Sequence, residues 1–196
     1  MPDQHEPLRA LIEQIFPQFR ADWSAIEPSL AVKTLEKGEF LFQAGDICPS
    51  VGLTLTGCLR MFFLKDDKEL TLFFHPENRL VGDYQSFRQQ SPAAFSCQAI
   101  EASDILMVTA QTLQALESAA QGQLLLRLMV EYLAFGLRDR LLSLYRDTPE
   151  QRYLALLETE PQLLQRVPQH YLASYLGIEP ESLSRLKRRI YQRRIS

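Results

Sequence analysis

Between Pro180 and Ile190 the chain sets hydrogen-bonding and charged side chains at helical spacing. Leu183, Leu186 and Ile190 recur at steps of three and four, which predicts a helix buried along one side. Its other faces carry Glu181, Ser182, Ser184, Arg185, Lys187, Arg188 and Arg189. Guanidinium donors interleaved with hydroxyl and carboxylate acceptors suit recognition of a polar, anionic surface rather than bond-making. Such a helix works only if a rigid support presents it.

The preceding residues predict that support. Tyr171, Leu172, Tyr175 and Leu176 give one apolar helical face. Gly177 follows where a helix end needs positive φ, Ile178 is free to plug the angle, and Pro180 suits a first helical turn. Val167–Ile190 therefore reads as a helix-turn-helix, a motif whose second helix enters a DNA major groove. Charge agrees. From Pro168 to Ser196 there are six Lys/Arg and two Asp/Glu, net +4, against fifteen and twenty-two, net −7, in residues 1–167. The positive charge is thus gathered on the one helix that would face phosphates.

The other chemistries are poorly served. His5, His75 and His170 fall in three separate modules, too far apart for one metal site. There is no GxSxG, HExxH, P-loop or GxGxxG pattern, so no enzyme and no metal is expected. Cys48, Cys58 and Cys97 form no CxxC pair and read as reduced, buried thiols of a cytoplasmic protein. At 196 residues, 46% hydrophobic and 23% charged, the chain is an ordinary globular one. No apolar run reaches the roughly 20 residues needed to cross a bilayer, and MPDQHEPLRA does not read as a secretory signal.

In order, residues 6–28 suggest one or two short helices, with Trp23 and Ile26 docking them on the next module. From Ser29 to Thr109 the period becomes that of strands. VGLTLTG, CLRMFFL and ELTLFFH are separated by turn signals, with Lys65–Lys68 as a hairpin loop. Seven or eight such strands predict a small barrel or jelly roll. LVGDYQSFRQQSPAAF (80–95) interrupts them with a short helix around Tyr84–Phe87 and would wall a cavity. A long helix is expected from Thr112 to Arg146. Its stripe Leu126, Val130, Leu133, Leu137, Leu141, Leu144 needs a partner helix, which predicts a two-fold homodimer. Thr148 and Pro149 then start a new helix whose core face would be Tyr153, Leu154, Leu156 and Leu157. The expected architecture is α+β. Residues 1–111 form terminal helices plus jelly roll, 112–147 the dimerisation helix, and 148–196 an all-α helix-turn-helix domain.

This order of parts resembles the catabolite activator and fumarate–nitrate regulator (Crp/Fnr) family of bacterial transcription factors. The markers are LEKGEFLFQAGD (35–46), Gly57, Val81-Gly82-Asp83 and LGIEPESLSR (176–185). The resemblance implies a cyclic-nucleotide-binding-like domain that senses an effector, a homodimer, an inverted-repeat duplex as target and RNA polymerase as a further partner. By the family pattern the base contacts fall on Glu181, Ser182, Ser184, Arg185 and Arg188. Arg185 would pair with guanine O6 and N7, and Glu181 would accept from cytosine N4 or orient Arg185. Gln169, His170, Arg189 and Arg193 are the expected phosphate contacts. The effector pocket would include Gly82, Asp83, Tyr84, Ala93 and Ala94. Two departures stand out. Asp83 replaces the Glu, and Ala93-Ala94 the Arg-Ser pair, of cyclic-AMP-binding members, so the effector is not expected to be cyclic AMP. Only Tyr191–Ser196 follow the second helix where the family adds a two-stranded wing, so this segment is expected either to continue the helix or to fray. No N-terminal cysteine cluster marks an iron–sulfur centre, and no cofactor is expected. The competing expectation is a signal-binding or protein-interaction module with a degenerate DNA-binding end.

Overall fold

A computed structural model describes residues 6–15, 30–118 and 120–195. After α1 (Glu6–Ile15) come β1 (Ala31–Leu35), β2 (Phe40–Phe42), β3 (Val51–Thr56), β4 (Leu59–Lys65), β5 (Lys68–His75) and β6 (Leu80–Val81). Helix α2 (Tyr84–Gln89) precedes β7 (Ser96–Ala99) and β8 (Ser103–Val108). Six helices complete the chain: α3 (Ala110–Ser118), α4 (Ala120–Arg146), α5 (Pro149–Thr159), α6 (Leu163–Arg166), α7 (Gln169–Leu176) and α8 (Pro180–Ile195). The strands form two four-stranded sheets, ordered β1-β8-β3-β6 and β2-β7-β4-β5, the jelly roll that the turn spacing predicts. The α+β class is borne out.

Alternation along the strands explains both cores. Ile105 and Met107 of β8 point between the sheets, where they meet Leu35, Phe42, Leu59, Cys97 and Ala99. The intervening Leu106 points outward and, with Leu53, packs under α1, α3 and the first turns of α4 through Leu8, Leu11, Leu116 and Leu125. The tight β4–β5 turn puts Asp66 at φ 51 and Asp67 at φ 61, the positive pair that a two-residue hairpin turn demands. All three cysteines are buried and unbridged. Burial raises the Cys48 and Cys97 thiols above their usual range, so both stay protonated at neutral pH.

The chain packs as two compact units. The first holds the chain up to Met61 and Phe74–Phe135; the second holds Phe62–Phe73 and Gly136–Ser196. Their boundary falls inside α4, and the distal part of the β4–β5 hairpin belongs with the helices. Ser174 of α7 explains that membership. Its hydroxyl accepts from the Thr71 amide at 2.9 Å and donates to the Glu69 carbonyl at 2.8 Å. It thereby satisfies both polarities of backbone on β5, an edge strand.

The helical unit is assembled around helix ends. Thr148 caps α5 with Gln151 in a reciprocal capping box. Gly177 closes α7 at φ 74 with a Schellman pair, Gly177 to the Ser174 carbonyl and Ile178 to the Ala173 carbonyl, both 3.0 Å. Buried Arg152 of α5 then gathers carbonyls from two other helix ends. It donates to Ser143 at 3.1 Å and Asp147 at 2.5 Å, and to Leu176 at 2.7 Å. Arg140 repeats the device, donating to the Tyr175 carbonyl at 2.7 Å with its guanidinium 3.7 Å from the Tyr175 ring centre. Terminal carbonyls lack intrahelical partners and carry the negative end of the dipole, so a cation suits them doubly.

Three expectations need revision. The stretch expected as one helix from 112 to 146 is two, α3 and α4. A Cβ on Gly122 would lie 2.1 Å from the Leu116 carbonyl oxygen, so the first turn of α4 lies against α3 and only glycine fits there. Leu154 is exposed rather than on the α5 core face; Tyr153 is buried as expected, and Arg152 is buried beside it, because α5 presents the Arg152 side to the other helix ends. Trp23 and Ile26 lie outside the described residues.

Arg152→Met keeps bulk but takes a donor from three carbonyls, of which Ser143 retains the Asp147 amide. Unfolding by urea is expected to show a loss of about 2–3 kcal/mol, against near-neutral behaviour for exposed Arg138→Met.

Candidate nucleic-acid interface

Helix α8 is anchored along its rear. Leu183, Leu186 and Ile190 are buried against Leu172, Ala173 and Leu176 of α7, with Leu163, Leu164 and Val167 completing the core. The Gly177 turn fixes the angle between the two helices. At about 100° per residue, Glu181, Ser184, Arg185 and Arg188 then fall within roughly a third of the helix circumference. All four are exposed. Ser182 lies on the flank, half-buried, and accepts from Arg185 Nη2 at 2.9 Å. The Ser184 hydroxyl donates back to the Pro180 carbonyl at 3.2 Å. An exposed guanidinium steadied by a hydroxyl, next to an exposed carboxylate one turn earlier, is an array able to read a base edge.

The expected phosphate contacts are less uniform. Gln169 and His170 are exposed in the first turn of α7, where amide N–H groups lack intrahelical partners. Gln169 accepts from Lys187 Nζ at 3.0 Å, which ties the start of α7 to α8. Arg189 and Arg193 both bond to the Glu150 carboxylate of α5, Arg193 at 2.9 Å.

In the jelly-roll unit, the five residues expected around an effector come together, but not as an open anion site. Asp83 is buried and caps α2. Its carboxylate accepts from the Ser86 amide at 3.0 Å and from the Ala94 amide at 3.2 Å. Ser86 in turn accepts from the Cys48 amide at 2.9 Å and donates to the Ser91 carbonyl at 2.6 Å. Gly82 sits against Val51, Ala93 is in the core, and Tyr84 packs beside that core. The backbone donors at both ends of the loop are therefore already held by a carboxylate of the chain. Arg88 is exposed and paired with Glu117 at 2.5 Å. Arg60 is fully buried in β4 and bonds to Gln98 at 3.3 Å.

The α4 stripe splits. Leu126 is half-buried against the jelly-roll cores, and Leu133 is half-buried as well. Val130, Leu137, Leu141 and Leu144 are 42–58% exposed, joined by Tyr145 at 87%. These five lie within about 100° of arc, far more apolar surface than a lone helix leaves to water. Among the described residues no helix is long and apolar enough to cross a membrane.

A jelly roll with an Asp83-capped loop, joined by a long helix to a helix-turn-helix, is the architecture of a transcription regulator. Comparison with known proteins agrees. Residues 32–119 match the cyclic nucleotide-binding domain family. The transcriptional activator protein Anr of Pseudomonas protegens is 28% identical over 175 residues, covering 82% of this chain and 70% of that protein. The structure of FixK2 from Bradyrhizobium japonicum superposes with a TM-score of 0.70 at 20% identity, covering 84% of this chain and 85% of the other. The Thermus thermophilus catabolite activator protein gives 0.56 at 19%, with 91% and 87% covered. At such identities the two structures speak to the fold. Residues 32–119 are thus a cyclic nucleotide-binding-type domain, and the relatives support a transcriptional regulator of the Crp/Fnr type.

Sequence reasoning did not single out Arg152, Arg60, Glu150 or Ser174. Arg152 stands alone as a basic residue between Arg146 and Arg166, and the Leu176 carbonyl that it serves is remote in sequence. For Asp83, the Asp-x-x-Ser spacing is a capping signal that was readable. Asp83→Ala is expected to cost about 1 kcal/mol as the α2 cap is lost, seen as a lowered midpoint of thermal unfolding, with Asp83→Asn intermediate.

Proposed function

We propose that the protein is a homodimeric, sequence-specific DNA-binding regulator of transcription whose α8 lies in the major groove. The observation that carries this reading is the exposed arc of Glu181, Ser184, Arg185 and Arg188 on a helix whose rear is fixed to α7. In this reading Arg185 donates to guanine, Glu181 and Ser184 meet neighbouring base edges, and Arg188 reaches the next pair. Gln169 and His170 set register on the phosphates. The α4 stripe Val130, Leu137, Leu141 and Leu144 meets its copy across a two-fold axis. Two α8 helices then address half-sites about one helical turn apart. A duplex target and thiols that stay reduced favour action in the cytoplasm.

The jelly roll is the signal-receiving part, and its signal is not cyclic AMP. A cyclic phosphate needs a bidentate cation and free amides. Ala93 and Ala94 supply no cation, and Asp83 occupies the Ser86 and Ala94 amides with a like charge.

Selection of duplexes from a random pool is expected to recover an inverted repeat. On that site Arg185→Ala should cost about 1–3 kcal/mol and relax preference at one base pair of each half-site. Equal weakening on all sequences would instead make Arg185 a phosphate contact. Leu141→Glu is expected to convert the dimer to a monomer in sedimentation at micromolar concentration while retaining its helical circular dichroism.

A further inference from the structure

Helix α8 carries cationic residues on two different arcs. Arg185 and Arg188 lie at the centre of the outward face. Arg189 and Arg193 lie roughly 80–120° round from Glu181, on the flank that adjoins the buried side. There they converge on one acceptor. Glu150 places Oε2 on Arg189 Nη2 and Oε1 on Arg193 Nη1, so a single carboxylate spans two guanidinium groups one helical turn apart. Its side chain is 24% exposed, against 52% and 67% for the two arginines. Solvent-screened pairs of this kind add little to stability. What the arrangement does change is the charge presented to a polyanion. A phosphodiester oxygen approaching this flank meets an anion already seated between the cations, and must displace it.

We propose that Glu150 is an intrachain stand-in for a DNA phosphate. It holds Arg189 and Arg193 against α5 and keeps them off the phosphate backbone, so that α8 contacts DNA through its N-terminal half alone. The proposal rests on the DNA-binding reading above and adds a residue that limits non-specific affinity. Phosphate contacts contribute to every sequence alike, so withholding two of them raises the share of binding that depends on bases.

The test is the salt dependence of duplex binding by the full chain, measured by fluorescence anisotropy between 50 and 200 mM KCl. Each phosphate neutralised adds about 0.9 to the slope of log affinity on log salt. Arg189→Ala/Arg193→Ala, at two exposed positions, is expected to leave the native slope unchanged. Glu150→Gln removes the charge but keeps the shape, and is expected to steepen the slope by up to about 1.8. That is an extra factor of about ten across this salt range. Adding both alanines to Glu150→Gln should return the slope to the native value. A native slope that falls by about 0.9 or more in the double-alanine variant would overturn the proposal, because the arginines would then be phosphate contacts already. That arm decides even if Glu150→Gln fails to fold. A native protein that binds no duplex at any salt would instead remove the DNA-binding reading itself, and the role of Glu150 with it.

Discussion

The C-terminal half of the molecule depends on what becomes of unpaired carbonyls at helix ends. Short helices are marginal by themselves, and the ends of α4 and α7 meet at the first turn of α5. Water could serve those carbonyls only if the ends stayed apart. Arg152 serves them directly, bridging Ser143, Asp147 and Leu176 from one buried side chain. Arg140 does the same for Tyr175. This junction of helix ends lets Leu172, Ala173 and Leu176 pack on Leu183 and Leu186, and that packing aims α8. Base recognition needs side chains placed on a rigid element, so the arginines at the junction serve the interface without touching DNA.

Carboxylates do comparable work at two places where an outside anion would otherwise be received. Asp83 takes the amides of Ser86 and Ala94, and Glu150 takes the guanidinium groups of Arg189 and Arg193. In each case a group with the charge and acceptor geometry of a phosphate is already part of the chain. The consequence differs with location. At the jelly-roll loop it holds the amides that a cyclic phosphate would use, which supports the proposed reading that cyclic AMP is not the signal. On the α8 flank the proposed effect is to trim sequence-blind attraction to DNA while leaving the outward arc free of the pairing.

Much of this could be read from the sequence because it is local. The Gly177 cap, Pro180, the Thr148 start and the alternation of β3 and β8 are settled by residues a few positions apart, and each appears where its local chemistry demands. The replaced phosphate-loop residues, Asp83 and Ala93-Ala94, also stood out. Non-local features were hidden. Nothing in a one-dimensional pattern says that Ser174 meets β5, that Glu150 lies under Arg193, or that Gly122 touches Leu116. Leu126 shows the same limit: its spacing fits the dimer stripe, yet it packs beside the jelly-roll cores, because a helix with nearly two apolar faces does not declare where one partner stops and the next begins.

The central claim is that two copies of α8 read bases from the major groove in a fixed relation. Methylation protection of guanine N7 on a bound duplex reports on that groove directly. The account predicts two short clusters of protected guanines, centred about 10 bp apart, lost on Arg185→Ala. Uniform protection, or none beside tight binding, would contradict it and place the contacts on the phosphates alone.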